Sequence, residues 1–189
     1  MIIRTFMAFV FFAMCTACAT PGADLQPFPI NPTQAASGYK LGSGDKIRLV
    51  VGGFQEMSDQ YNVSDLGTIS VPMIGVVQVE GRSTGELERE ISALLVERDL
   101  AVTPDVNVQV EQYRPFFVMG QVNQPGAYPF VPGMTVLNAV SIAGGHTFRA
   151  ETENYGITRR VDGETVQGKG VADTMLLPGD TIIVYETWF

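Results

Sequence analysis

An α+β fold in two small units is predicted by three features of this chain. Short apolar alternations punctuated by glycine and proline recur from Lys46 to Val79, the pattern of a small β-sheet. Leu87, Ile91, Leu94 and Leu95 then fall at helical spacing, giving one helix with a single buried stripe. Past Arg114, a strand–turn–strand pattern, a short helix and further apolar strands form a second mixture. The expected division is a leader over 1–17, a proline-rich tether over 18–36, a small mixed β-sheet with one helix over 37–113, and a second unit with a closing strand over 114–189.

The leader is the strongest local signal. Met1–Thr5 carries one positive charge, on Arg4, Phe6–Met14 is unbroken apolar sequence, and Cys15-Thr16-Ala17-Cys18 sets small residues before a cysteine. That is the layout of a secretory signal, and the run is shorter than the roughly 18 residues a spanning helix needs. The site resembles the bacterial lipobox, with Cys15 where Leu is usual, which implies cleavage before Cys18 and acylation of its thiol; simple secretion is the alternative. Ala19 after the cysteine, in place of Asp, implies the outer membrane of a Gram-negative cell.

Composition excludes several classes. With the leader removed, about 170 of the 189 residues remain, room for one ordinary domain or two small ones but no large enzyme core. Both cysteines lie at the leader boundary, so the mature chain holds no internal disulfide. The net charge of −8 includes no basic patch, and nucleic acid, whose phosphates demand clustered Lys and Arg, is not an expected partner.

Along the chain, residues 19–36 hold four prolines and little charge, which suits an extended tether. Tyr39–Asp45 reads as a turn and Lys46–Val51 as a strand with Ile47, Leu49 and Val51 on one face. Val63, Thr68–Val71 and Gly75–Val79 read as further short strands, separated by Asp65-Leu66-Gly67 and Pro72. Ser83 and Glu86 form a capping box for a helix over about Thr84–Arg98. Val106–Tyr113 alternates as a half-buried strand, Val106, Val108 and Val110 on one face and Asn107, Gln109 and Glu111 on the other.

In the second unit, Phe116–Val122 and Ala127–Val131 flank Asn123-Gln124-Pro125-Gly126. This reads as a hairpin in which Pro125 presets φ and Gly126 supplies positive φ. Thr135 caps a short helix to Ala143, with Gly144 in the left-handed position after it. A hairpin followed by a helix opens a β-grasp fold. Tyr155–Val161 and Thr165–Gln167 give another hairpin across Asp162-Gly163, and Thr181–Tyr185 a last strand. Leu41-x-x-Gly44-Asp45-x-Ile47-x-Leu49 is echoed by Leu176-x-x-Gly179-Asp180-x-Ile182-x-Val184. Either this is a true repeat closing each unit, or it is common turn chemistry met twice.

These strings, in this order, resemble the outer-membrane polysaccharide export family. Tyr39-Lys40-Leu41-Gly42-Ser43-Gly44-Asp45-Lys46-Ile47-Arg48-Leu49 resembles the opening of its export domain, and Leu66-Gly67-Thr68-Ile69-Ser70-Val71-Pro72-Met73-Ile74-Gly75 its D-G-x-I-x-x-P-x-x-G core. Gly81-Arg82-Ser83-Thr84 stands where the family has G-x-T before the helix. Val118-Met119-Gly120-Gln121-Val122-Asn123-Gln124-Pro125-Gly126-Ala127-Tyr128 and Ala143-Gly144-Gly145 resemble its soluble-ligand-binding β-grasp (SLBB) module. With Gly179 and Asp180 of the echo, the structural motif positions are Gly44, Asp45, Gly67, Pro72, Gly75, Gly120, Pro125, Gly126, Gly144, Gly145, Gly179 and Asp180.

The resemblance implies a lipoprotein on the periplasmic face of the outer membrane, forming a homo-oligomeric ring, an octamer by the family's pattern, that passes capsular or exopolysaccharide. It implies work with an inner-membrane polysaccharide co-polymerase and no cofactor. Members with extra modules end in an amphipathic pore helix; here the sequence after Thr181–Tyr185 holds only Glu186-Thr187-Trp188-Phe189, so a separate outer-membrane β-barrel or a longer export protein is the expected exit. A periplasmic saccharide-binding sensor is the alternative function.

Chemistry-bearing residues point away from catalysis. His146, the single histidine, lacks ligand-spaced partners and reads as loop structure. Asp45 and Asp180 as a glycosidase pair would have to face each other across about 5–10 Å, and their matching turns favour capping roles. Gly42, Gly44, Gly52 and Gly53 lack the Lys-Ser/Thr of a phosphate loop. Arg159-Arg160 reads as a solvated edge, with anionic sugar or a neighbouring subunit as the other partner. Trp188 and Phe189 read equally as an interface anchor or as core.

Overall fold

The computed structural model describes residues 26–27, 38–161 and 163–187; Cys18, most of the tether, Asp162, Trp188 and Phe189 lie outside the described residues. The α+β class is what the chain adopts. β1 (Lys46–Val51) is the centre of a three-stranded antiparallel sheet, between β2 (Asp59–Asn62) and β5 (Val106–Gln112), and β3 (Thr68–Val71) pairs with β4 (Gly75–Gln78) as a separate ribbon. Ile47, Leu49 and Val51 all point inward, as their alternation requires. They meet Ile69, Val71 and Val77 of the ribbon and Leu87, Ile91 and Leu95 of helix α1 (Thr84–Glu97) in one apolar cluster.

One element shifts here. Val63 lies just past a strand, not in one, and the strand is the polar run Asp59–Asn62. Its mostly exposed residues form an edge because β1 offers it backbone partners, from Lys46↔Asn62 to Leu49↔Asp59.

The capping box at α1 is complete: the Glu86 N–H donates to Ser83 Oγ at 3.3 Å and the Ser83 N–H to Glu86 Oε2 at 2.7 Å. Ser83→Ala is therefore expected to lower stability by about 1 kcal/mol in urea titrations. Lys40 Nζ also donates to Glu86 Oε2 at 2.7 Å, and this bond, followed by those from Ser83, holds the Glu86 carboxyl down to about 2. A carboxylate so lowered stabilises the fold above its ordinary range near 4.5, and that contribution is lost as pH falls toward about 2. Both side chains are more than 40% exposed, so salt screens the effect. Lys40→Met should return Glu86 toward its ordinary pKa when its carboxyl is followed by NMR.

The second unit is a five-stranded mixed sheet in the order β7-β6-β10-β8-β9, formed by β6 (Phe116–Gly120), β7 (Gly126–Tyr128), β8 (Ala150–Val161), β9 (Glu164–Gly170) and β10 (Thr181–Glu186). β6 and β10 run parallel at its centre and every other pair is antiparallel. Helix α2 (Val136–Ile142) covers one face, burying Val136, Ala139 and Val140 on Phe116, Val118, Ile157, Ile182 and Val184. A first hairpin, a helix, a second hairpin and a last strand laid parallel to the first make this a β-grasp arrangement.

Candidate functional site

The motif positions gather into three clusters, and the first lies where the two units meet. Asp45 and Asp180 are both fully buried, each at the end of a turn that begins with a buried leucine, Leu41 or Leu176. Gly44 and Gly179 hold φ of +90° and +88°, a region costly for any side chain. The carboxylates then fold back on their own turns: Asp45 Oδ2 accepts from the Gly42 N–H at 2.8 Å, and Asp180 Oδ2 from the Leu177 N–H at 2.7 Å. The two turns also close with the same backbone bond, Asp45 N–H to Gly42 O and Asp180 N–H to Leu177 O, each 3.1 Å long. The echo in the sequence is therefore a structural repeat.

Each buried carboxylate is neutralised by an arginine from another element. Arg159 on β8 donates Nε to Asp180 Oδ1 at 2.8 Å and Nη2 to Oδ2 at 2.7 Å, a two-pronged pair. This corrects the reading of Arg159 as a solvated edge: its strand neighbour Arg160 is exposed, but alternation turns Arg159 the other way. Arg114 plays the matching part for Asp45, its backbone N–H donating to Oδ1 at 2.8 Å and its Nη1 to Oδ2 at 3.2 Å.

Arg114 does more, because it also donates Nε to the Pro178 carbonyl at 3.1 Å, joining the second turn to the first. Its guanidinium carbon stands 5.7 Å from the Tyr39 ring centre, and a Cβ on Gly179 would come within 2.9 Å of its Nε. Tyr39 completes the knot, donating its hydroxyl to Asp45 Oδ2 at 2.5 Å and stacking edge-on against Tyr113, which in turn meets Phe130 of the second unit. Burial first, and then the hydrogen bond to Asp45, push the Tyr39 phenol far above its ordinary pKa against the opposing pull of Arg114.

A second cluster joins two strings that are distant in the sequence. The Asn123 N–H donates to Gly145 O at 3.1 Å, Gln124 N–H to Ala143 O at 2.9 Å, and Asn123 Nδ2 to Gly144 O at 2.7 Å. The segment after β6 thus leaves the sheet to cap the end of α2, whose last turn passes through left-handed Gly144 and Gly145. This overturns the tight Pro125-Gly126 turn. Gly126 does not hold positive φ; it opens β7 opposite Val118, and the residue with positive φ is Gly120 at the end of β6. The long connection has its own anchors and needs no two-residue corner.

The third cluster is the β3–β4 ribbon. Gly67 O accepts from the N–H groups of Val79 and Glu80 at 2.8 and 2.9 Å, closing the open end. At the tip, Ile74 N–H reaches back to Pro72 O at 2.7 Å around Met73, a non-glycine at φ +64°, and Gly75 follows at +78°. Arg98 Nη1 holds the Met73 carbonyl at 2.8 Å, tying the tip to the end of α1.

None of the three clusters presents a free nucleophile or an open pair of acids. Both buried carboxylates are saturated by donors, and His146 Nε2 lies 3.0 Å from the hydroxyl of Tyr155 on β8. Among the described residues no group of three or more His, Cys, Asp or Glu is placed to hold a metal, and no helix is long and apolar enough to cross a membrane. Arg114, Arg159 and Tyr39 are the residues that reading the sequence missed as partners. Arg114-Pro115 at the unit boundary was the available signal, a lone cation that reaches the buried acid of the first turn and a backbone carbonyl of the second.

Comparison with known proteins places this geometry. Residues 33–111 match the family described as polysaccharide biosynthesis/export protein, and residues 115–169 match the SLBB domain. The exopolysaccharide production protein ExoF of Rhizobium meliloti (strain 1021) is 33% identical over 153 residues, which cover 75% of this chain and 34% of that protein. The EPS I polysaccharide export outer membrane protein EpsA of Ralstonia nicotianae (strain ATCC BAA-1114 / GMI1000) is 29% identical over 187 residues, covering 80% of this chain and 48% of that protein. Its namesake from Ralstonia solanacearum is 30% identical over 137 residues, 58% of this chain and 36% of that one. The chain thus spans about a third to a half of the length of these relatives. Carrying both matches in the family's order, it belongs to the polysaccharide biosynthesis/export protein family.

Proposed function

We propose that this chain is a non-enzymatic subunit of a periplasmic ring, anchored to the outer membrane through an acylated Cys18, that conducts capsular or exopolysaccharide out of the cell with an inner-membrane co-polymerase. The observation that carries this reading is the succession of an export unit over 33–111 and an SLBB unit over 115–169, shared with relatives named for exopolysaccharide production and outer-membrane export. A conduit needs a stable frame and repeated contacts, not a reactive group. A frame whose buried acids are all locked by donors suits that need. Closed rings give every subunit the same heterologous contact, and the outward faces of β1 and β5, where Arg48 Nε meets Glu111 Oε1 at 2.6 Å, offer one polar surface for it.

Mass photometry of the detergent-extracted protein is expected to show one discrete high oligomer, and deletion of the gene is expected to abolish surface polysaccharide. A strict monomer at every concentration, with or without the co-polymerase, would sink the ring. For the anchor, Cys18→Ser is expected to yield an unprocessed or mislocalised precursor; an unmodified Cys18 in the mass spectrum of the wild type would remove it.

A further inference from the structure

The described part of the tether does not stand clear of the body. The Lys169 N–H on β9 donates to the Gln26 carbonyl at 2.8 Å, and Pro27 is bridged in parallel to Lys169. β9 is the outer strand of its sheet, paired on its other side with β8 through Gly156↔Lys169. An open edge of this kind is a template for unwanted pairing, and a proline-bearing segment is well made to cover it, since Pro27 has no N–H to leave unpaired.

The docking changes the length of the leash. Twenty residues separate Cys18 from Gly38, where the body begins, a reach of about 70 Å when extended, whereas eight separate Cys18 from Gln26, about 28 Å. We propose that the edge of β9 is a docking site for the chain's own tether, and that this docking holds the second unit, β9 edge foremost, close under the membrane that carries the lipid. It rests on the anchor at Cys18 proposed above. A lipid on the long leash would leave a subunit free to tumble; on the short one, neighbouring subunits are presented to one another in a common orientation, which a ring requires.

The test uses the full-length, membrane-anchored protein. Pro27→Cys with Lys169→Cys sets thiols on bridged residues, and mild oxidation is expected to give a complete disulfide within one chain, while Pro27→Cys with Gln60→Cys, on β2 of the first unit, gives none. In the same vesicles, energy transfer from a probe on Gln167→Cys to a headgroup acceptor is expected to be strong, and to be lost with Lys169→Pro, which removes the donor to Gln26 at an edge position where proline is tolerated. Circular dichroism melting checks that this variant is folded. No disulfide, a disulfide between chains, or transfer indifferent to Lys169→Pro would each overturn the docking. Flotation of the vesicles separates the two readings: protein that fails to float removes the anchor and the orientation with it, and protein that floats without forming the disulfide removes the docking alone.

Discussion

Asp180→Ala is expected to lower the stability of this protein by about 3–5 kcal/mol, the cost of removing one partner from a buried ion pair. Arg159, its side chain only 11% exposed, would keep its bond to the Met175 carbonyl but lose the carboxylate that balances its charge, and the Leu177 N–H would lose its acceptor. Asp180→Asn should do little better. All three contacts to Asp180 come from donors, so one amide position must point N–H at N–H. Asp45→Asn faces the same conflict with four donors, from Tyr39, Gly42 and twice from Arg114. Urea unfolding of the purified protein is the measurement; a loss near 1 kcal/mol for Asp180→Ala would mean that water replaces the missing carboxylate and that the acid is not the lock described here.

What could be read beforehand follows a physical rule. Helix α1 was legible because its determinants, Ser83, Glu86 and the Leu87–Ile91–Leu95 stripe, all lie within one element, as do the inward faces of β1 and β5. β2 was not legible, since Asp59–Asn62 has no apolar face of its own and becomes a strand by pairing with β1. The polar start of β8, Glu151–Asn154, was missed for a like reason: β9 pairs only with Tyr155–Val161, and the start is held through Ala150↔Glu186 of β10.

The candidate site divides in the same way. Its glycines and acids were visible through the Gly44-Asp45 and Gly179-Asp180 echo, because tight turns print their chemistry in adjacent residues. Their arginines were not. Arg114 and Asp45 are 69 positions apart, and Arg159 lies 21 from Asp180, separations that no local pattern spans. Arg159 in particular looks like any edge cation until the alternation of β8 is fixed by Ile157 and Tyr155 facing inward.

Gly120 and Gly126, six residues apart in one motif, are expected to respond to alanine in opposite ways. At Gly120 the backbone holds φ +90°, and a Cβ would run into the carbonyl oxygen of Val184 on β10, which already accepts the Gln121 N–H at 2.9 Å. That neighbour is backbone and cannot rotate aside. Strain alone costs about 1–3 kcal/mol, and overpacking against a fixed wall adds about 1–3 kcal/mol more, at the end of the parallel β6–β10 pairing on which the β-grasp sheet is centred. Gly163→Ala, at φ +84° with nothing within 4 Å, isolates the strain without the clash and should fall between the two. At Gly126 φ is not positive and the nearest atom to an added Cβ is a Tyr128 ring carbon 3.9 Å away, an ordinary contact. Gly126→Ala should therefore be nearly neutral, or slightly stabilising through a less flexible unfolded chain. Urea midpoints for the three variants decide it: Gly126→Ala as damaging as Gly120→Ala would mean that the Pro125-Gly126 corner carries the strain after all, and that the connection from β6 to β7 does not run by way of α2.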